Sequence, residues 1–191
     1  MTLEQFQHDL TVLDDQRLLD RYYYSGPAAK LDNGQAAELR RCIAAQFQVP
    51  MRDVVVVGSA KLGFTLTVKP DRPIFSPFND ESDIDVAIIS EPLYQKYWKV
   101  AYRYWLDSNE WPTVEPFRKY MFRGWVRPDL LPKGEDCPEQ REWWDFLLSL
   151  QAAGAFGPYK IRVGVYHDED FWESYACSSF QGCRNILENP L

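Results

Sequence analysis

The stretch Val54-Val55-Val56-Val57-Gly58-Ser59-Ala60-Lys61-Leu62, followed downstream by Ser82-Asp83-Ile84-Asp85-Val86-Ala87-Ile88-Ile89, decides how the rest of the chain is read. Four consecutive β-branched residues suit a pleated, packed surface, so Val54 to Val57 is expected to be a buried strand. It stops at Gly58-Ser59, where a residue without a Cβ lets the backbone approach a ligand closely. Ser59-Ala60-Lys61-Leu62 then opens a short helix, whose unpaired N–H groups and partial positive charge suit a phosphate. In the second part, Asp83 and Asp85 stand two positions apart, just ahead of the apolar run Val86 to Ile89. On a strand that spacing turns both carboxylates to one face and sends Ile84 into the core. Two carboxylates on one face outline a divalent-cation site.

In this order (valine strand, Gly-Ser, Lys-bearing helix start, Asp-x-Asp strand) residues 53–90 resemble the nucleotidyltransferases of the DNA polymerase β superfamily. The resemblance implies an α+β fold, a small mixed β-sheet with flanking helices in the polymerase β-like arrangement. It implies that Gly58 and Ser59 hold the triphosphate of an NTP, ATP being the first candidate, with Lys61 as a nearby point charge. It also implies that Asp83 and Asp85 hold Mg²⁺ or Mn²⁺ and act in moving NMP to an acceptor hydroxyl. Full members carry a third carboxylate on a later strand. The strand expected here, Tyr159 to Tyr166, has no Asp or Glu and offers Lys160 and Arg162 instead. Asp168, just beyond it, is the first candidate for the third catalytic acid, with Glu115 and Asp129 as substitutes from the irregular stretch. If none serves, the chain is a catalytically degenerate transferase fold that binds nucleotide or a partner. The acceptor and any protein partner stay open. The alternative without chemistry has Asp83 and Asp85 capping or pairing within a loop.

A chain of 191 residues, 46% hydrophobic and 26% charged, is long enough for one well-packed domain over 1–191, with N-terminal helices in 1–50 and a C-terminal helix over 168–188. A net charge of −7 argues against an unassisted grip on nucleic acid. A metal-escorted anion remains compatible, because the cation inverts the local sign. No apolar run approaches the roughly 18 residues of a membrane span, and the start lacks a signal-peptide pattern, so no membrane partner and a cytoplasmic setting are expected. Cys42, Cys137, Cys177 and Cys183 show no Cys-x-x-Cys spacing and read as free thiols.

Around the motif the periodicity predicts helices over Leu3 to Asp20, Gln35 to Gln48, Leu93 to Leu106, Glu139 to Leu150 and from Asp168 onward, with Asp168 as a cap. Tyr22 to Pro27 is expected to break the first helix. The third is apolar nearly all round and is expected to be buried on two sides. Lys69 to Asp80, with three prolines, reads as a stiff loop in which Lys69 and Arg72 are solvated or touch a nucleotide. Residues 109–136 read as irregular, with Arg118, Lys119, Arg123 and Arg127 forming a basic edge or an anion-facing patch.

Overall fold

In a computed structural model, which describes residues 2–68, 72–107 and 110–189, the chain folds as an α+β protein around a four-stranded mixed sheet. The strands are β1 (Val54–Val57), β2 (Ile84–Ile89), β3 (Trp125–Val126) and β4 (Ile161–Tyr166), in the order β1-β2-β4-β3. β1 runs antiparallel to β2, β2 parallel to β4, and β3 antiparallel to β4. The helices are α1 (Leu3–Val12), α2 (Asp15–Leu19), α3 (Asn33–Phe47), α4 (Gly58–Leu62), α5 (Glu91–Asp107), α6 (Val114–Phe122), α7 (Pro138–Ala152) and α8 (Glu169–Glu188).

The period-2 alternation of the strands splits the apolar residues between two cores. Val54, Val56, Ile84, Val86, Ile88, Ile161, Val163 and Val165 point to the face covered by α3, α5 and α7, where Leu39, Ile43, Tyr97, Trp143 and Leu147 are buried. Ala87 and Tyr166 point to the other face, covered by α1, α2 and α8 through Phe6, Leu10, Leu18, Trp172 and Phe180. Asp85 and Arg162, register partners across β2 and β4, share this second face. Among the described residues, no helix is long and apolar enough to cross a membrane.

Several boundaries differ from the periodicity reading for identifiable reasons. The first helix is interrupted at Leu13, because Asp14 accepts from Arg17 N–H at 2.8 Å and caps a new helix. Beyond α2 the chain continues through a π-turn, Asp20–Tyr24, closed by Ser25 N–H to Asp20 C=O at 2.8 Å, instead of breaking at Tyr22. The wider turn buries both Tyr22 and Tyr23 and leaves Tyr24 outside. The stretch 109–136 is more regular than expected: α6 tolerates Pro116 because the first helical turn needs no N–H there, and β3 adds a short edge strand. α5 buries Leu93, Tyr94, Tyr97 and Ala101, but Trp98, Tyr102 and Trp105 are exposed, so within the described structure the helix is covered on one side. Lys69 lies outside the described residues. The four cysteines are free thiols.

Candidate functional site

Val57 and Asp85 are register partners, so the end of β1 and the start of β2 lie at one edge of the sheet. Gly58 leaves β1 with φ of +63°, a left-handed conformation that only glycine adopts freely. A Cβ built on Gly58 would stand 2.8 Å from Asp85 Oδ2. Both the torsion and the space therefore demand glycine, and the backbone that turns into α4 is pressed against a carboxylate. α4 is a single turn of five residues, which makes its dipole a minor contributor.

This corner opens into a cavity of about 600 Å³ lined by Gly58, Ser59, Asp83 and Asp85. A third acid, Asp129, also lines it, as do the cations Arg72, Arg127, Lys160 and Arg162. In a chain of net charge −7, four cations facing three carboxylates mark this cavity as locally suited to an anion.

The charged groups form a chain of alternating sign. Arg162 Nε is 3.4 Å from Asp83 Oδ2, and its Nη1 is 4.0 Å from Asp129 Oδ2. Asp129 is held more tightly by Arg127, which donates from Nε at 3.1 Å and from Nη2 at 2.6 Å in a fork. The Arg127 guanidinium in turn lies over the Tyr120 ring, 5.5 Å from its centroid. Arg72 donates to Asn79 Oδ1.

Beside this network stands an aromatic wall. Trp125 stacks on Tyr166 at 5.4 Å with 12° between the rings, and Tyr120 and Tyr175 pack against it. Gly164 makes room for the indole, since a Cβ there would come within 3.1 Å of Trp125 Cε3. The buried indole N–H of Trp125, a cavity residue, finds no acceptor among the described residues. Burial pushes the Tyr166 hydroxyl well above its ordinary range, and the nearby Tyr175, Tyr23 and Asp85 add to the shift. Tyr175 is raised for the same first reason, with Asp85 next. At neutral pH these phenols keep their protons and can donate hydrogen bonds.

Two expected site residues are not brought here. Lys61 sits two positions after Ser59 on a helix, roughly 200° around the axis, so the two side chains cannot face one cavity. It is buried instead and donates to Gly26 C=O at 2.8 Å and Ser25 C=O at 3.3 Å, pinning the strap that precedes α3. Burial, with Arg40 nearby, lowers its pKa. Asp168 lies at the opposite end of the sheet. Arg162 is the residue beside Asp85, and Asp168 follows six residues later along β4, roughly 20 Å away at 3.3 Å per residue. There it caps α8, accepting from Phe171 N–H at 3.1 Å and pairing with His167 Nδ1 at 2.7 Å. Burial acts to raise its carboxyl, but the His167 and Phe171 hydrogen bonds outweigh it and hold the pKa below the usual carboxylate value. Glu115 is exposed on α6 and paired to Arg118 at 3.3 Å, away from the cavity.

As a metal site, the arrangement has a definite character. Among the described residues no three His, Cys, Asp or Glu side chains are grouped closely enough to hold an ion as a set. Asp83 and Asp85 offer two carboxylates on the face of an anion-suited cavity, a donor set that fits Mg²⁺, which takes one or two carboxylates and completes its shell with water and phosphate oxygens. Compared with models of known families, with curated proteins and with solved structures, the chain matches none.

Proposed function

We propose that the chain is a divalent-metal-dependent nucleotidyltransferase with a polymerase β-like core, moving NMP from an NTP to an acceptor hydroxyl. The observation that carries this reading is the contact of the Gly58 turn with Asp85 at one sheet edge, beside a cavity large enough for a nucleotide. The Gly58 backbone and the Ser59 hydroxyl would receive the terminal phosphates, and Arg72, Arg127, Lys160 and Arg162, which line the same cavity, would neutralise them. Asp83 and Asp85 would hold Mg²⁺, which supplies charge neutralisation on the phosphate oxygens when bound. The Trp125 and Tyr166 wall offers a flat apolar surface for a base, next to an indole N–H that lacks an acceptor among the described residues. In the transfer the acceptor oxygen forms a bond to the α-phosphorus, the bond to the pyrophosphate oxygen breaks, and the acceptor proton passes to a carboxylate. Asp129 is the only carboxylate besides Asp83 and Asp85 among the described cavity residues, and it takes the part first assigned to Asp168.

A second reading has one observation in its favour. Arg162 occupies the register position beside Asp85 where a strand-borne third carboxylate would stand, and Asp129 is already engaged by Arg127. On that reading the site binds nucleotide without turning it over. Calorimetry with each NTP, with and without Mg²⁺, is expected to show metal-dependent affinity that Asp83→Ala and Asp85→Ala abolish. Pyrophosphate release by wild type, lost in Asp129→Asn, separates transferase from binding module. Equal affinity with and without Mg²⁺ refutes the metal-dependent transferase.

A further inference from the structure

Arg162 is a cation of the protein that competes directly for Asp83, a carboxylate that the proposed function gives to Mg²⁺. Its position is fixed by the sheet: parallel pairing sets it opposite Asp85, and the pleat turns it to the same face as Asp83 and Asp85. Its guanidinium spans two acids, Asp83 at 3.4 Å and Asp129 at 4.0 Å, and its side chain is 40% exposed to the cavity and solvent. Asp129 cannot hold Arg162 firmly, because its closer partner is Arg127 at 2.6 Å. Arg162 is thus shared at 3.4 and 4.0 Å between two partners, on a strand paired on both sides.

Resting on that reading of the site, we propose that Arg162 is a positioning residue that couples metal and nucleotide binding, guarding Asp83 in the empty protein and transferring to the phosphates when the nucleotide enters. With Arg162 beside Asp83, a divalent cation alone meets like-charge repulsion and binds weakly. A triphosphate presents oxygens that match the planar fork of a guanidinium better than a single carboxylate shared at 3.4 Å. Arg162 then leaves Asp83, and the carboxylate becomes available to the cation arriving with the nucleotide. By linkage, each ligand raises the affinity of the other by the same factor. The site stays closed to bare divalent ions and opens to the metal–nucleotide pair.

The test follows free Mn²⁺ by electron paramagnetic resonance during titration into wild type, Arg162→Gln and Asp129→Asn, each with and without α,β-methylene ATP. Arg162→Gln is expected to bind Mn²⁺ alone about tenfold more tightly than wild type, within the 5–150-fold range of ordinary coupling, while the enhancement by nucleotide falls toward one. Asp129→Asn is expected to move the other way, binding Mn²⁺ alone more weakly because Arg162 then has Asp83 as its remaining acid partner in this pairing. Circular dichroism reports folding of both variants. The Asp129 variant, altered on a different segment, carries the test should Arg162→Gln not fold. Mn²⁺ and nucleotide binding by wild type with no change in either variant overturns the coupling alone. Wild type that binds neither ligand overturns the site reading and the coupling with it.

Discussion

Replacing Gly58 by alanine tests the corner where strand, turn and carboxylate meet. The backbone torsion of +63° costs a non-glycine residue about 1–2 kcal/mol. The added Cβ would fall 2.8 Å from Asp85 Oδ2, closer than such contacts are found, so the carboxylate must shift. Overpacking of that kind costs about 1–3 kcal/mol. Alanine also restricts the unfolded chain, which returns about 0.4–1 kcal/mol. The net expectation is a loss of about 2–3 kcal/mol, or roughly 4–12 °C in Tm for a chain of this size. Urea and thermal denaturation measure it directly. The diagnostic comparison is a cycle with Asp85→Ala: removing the carboxylate removes the collision and leaves the torsional cost, so the double variant should be more stable than the sum of the singles by about 1 kcal/mol. Additivity within about 0.3–0.5 kcal/mol would mean the turn and the carboxylate are not in contact, and the case for one shared site would fall with it.

Other outcomes follow from the same geometry. Asp168→Ala should cost about 0.5–2 kcal/mol of stability through the lost cap and leave nucleotide affinity unchanged, checked by melting and calorimetry on one sample; a selective loss of turnover would place Asp168 in the chemistry after all. Lys61→Met should likewise spare nucleotide binding while destabilising the strap, and a drop in affinity without a drop in Tm would contradict its assignment to the Ser25 and Gly26 carbonyls. Asp9 is buried between Tyr22, which donates at 2.6 Å, and Arg21 at 2.8 Å. Burial acts to raise its carboxyl, but these partners and Gln5 outweigh it and leave the pKa lowered. Its contribution is therefore complete above the unfolded carboxylate value of about 3.9 and fades as pH falls through the lower folded value. Asp9→Asn should cost about 1–3 kcal/mol at pH 7, and the gap to wild type should shrink in denaturation curves taken below pH 4; a gap independent of pH would refute the assignment.

The strand-turn-helix around Gly58 and the carboxylate strand were legible because each depends on contiguous residues: four valines, a glycine, an alternation that buries Ile84 and turns Asp85 out. The cap at Asp168 was local for the same reason. The remaining half of the cavity depends on pairing across the sheet, which no local pattern encodes. Arg162 reads as an ordinary polar-face residue until β4 is known to lie parallel to β2 with Arg162 beside Asp85. Asp168 attracted attention because it follows β4 closely, yet the direction of that strand carries it to the far edge. Trp125, Arg127 and Asp129 lay in a stretch whose prolines suggested disorder of pattern, although Pro116 sits in a first helical turn, where it does no harm. One available clue was Gly164 inside a strand, since such a glycine marks close approach by another group, here an indole.

The π-turn at Asp20–Tyr24 makes this fold sensitive to chain length at a place where composition matters less. An α-helix advances about 100° per residue, so one extra residue in a turn rephases everything beyond it. Across this turn Tyr22 meets Asp9 while Tyr23 reaches the cavity. The turn also delivers the Ser25 and Gly26 carbonyls to Lys61. Deleting the exposed Tyr24 is expected to return the segment to an α pitch and to move those carbonyls relative to the ammonium. The count of residues between Asp20 and Ser25, more than the identity of each, sets the angle at which the N-terminal helices lock onto the turn that carries Gly58.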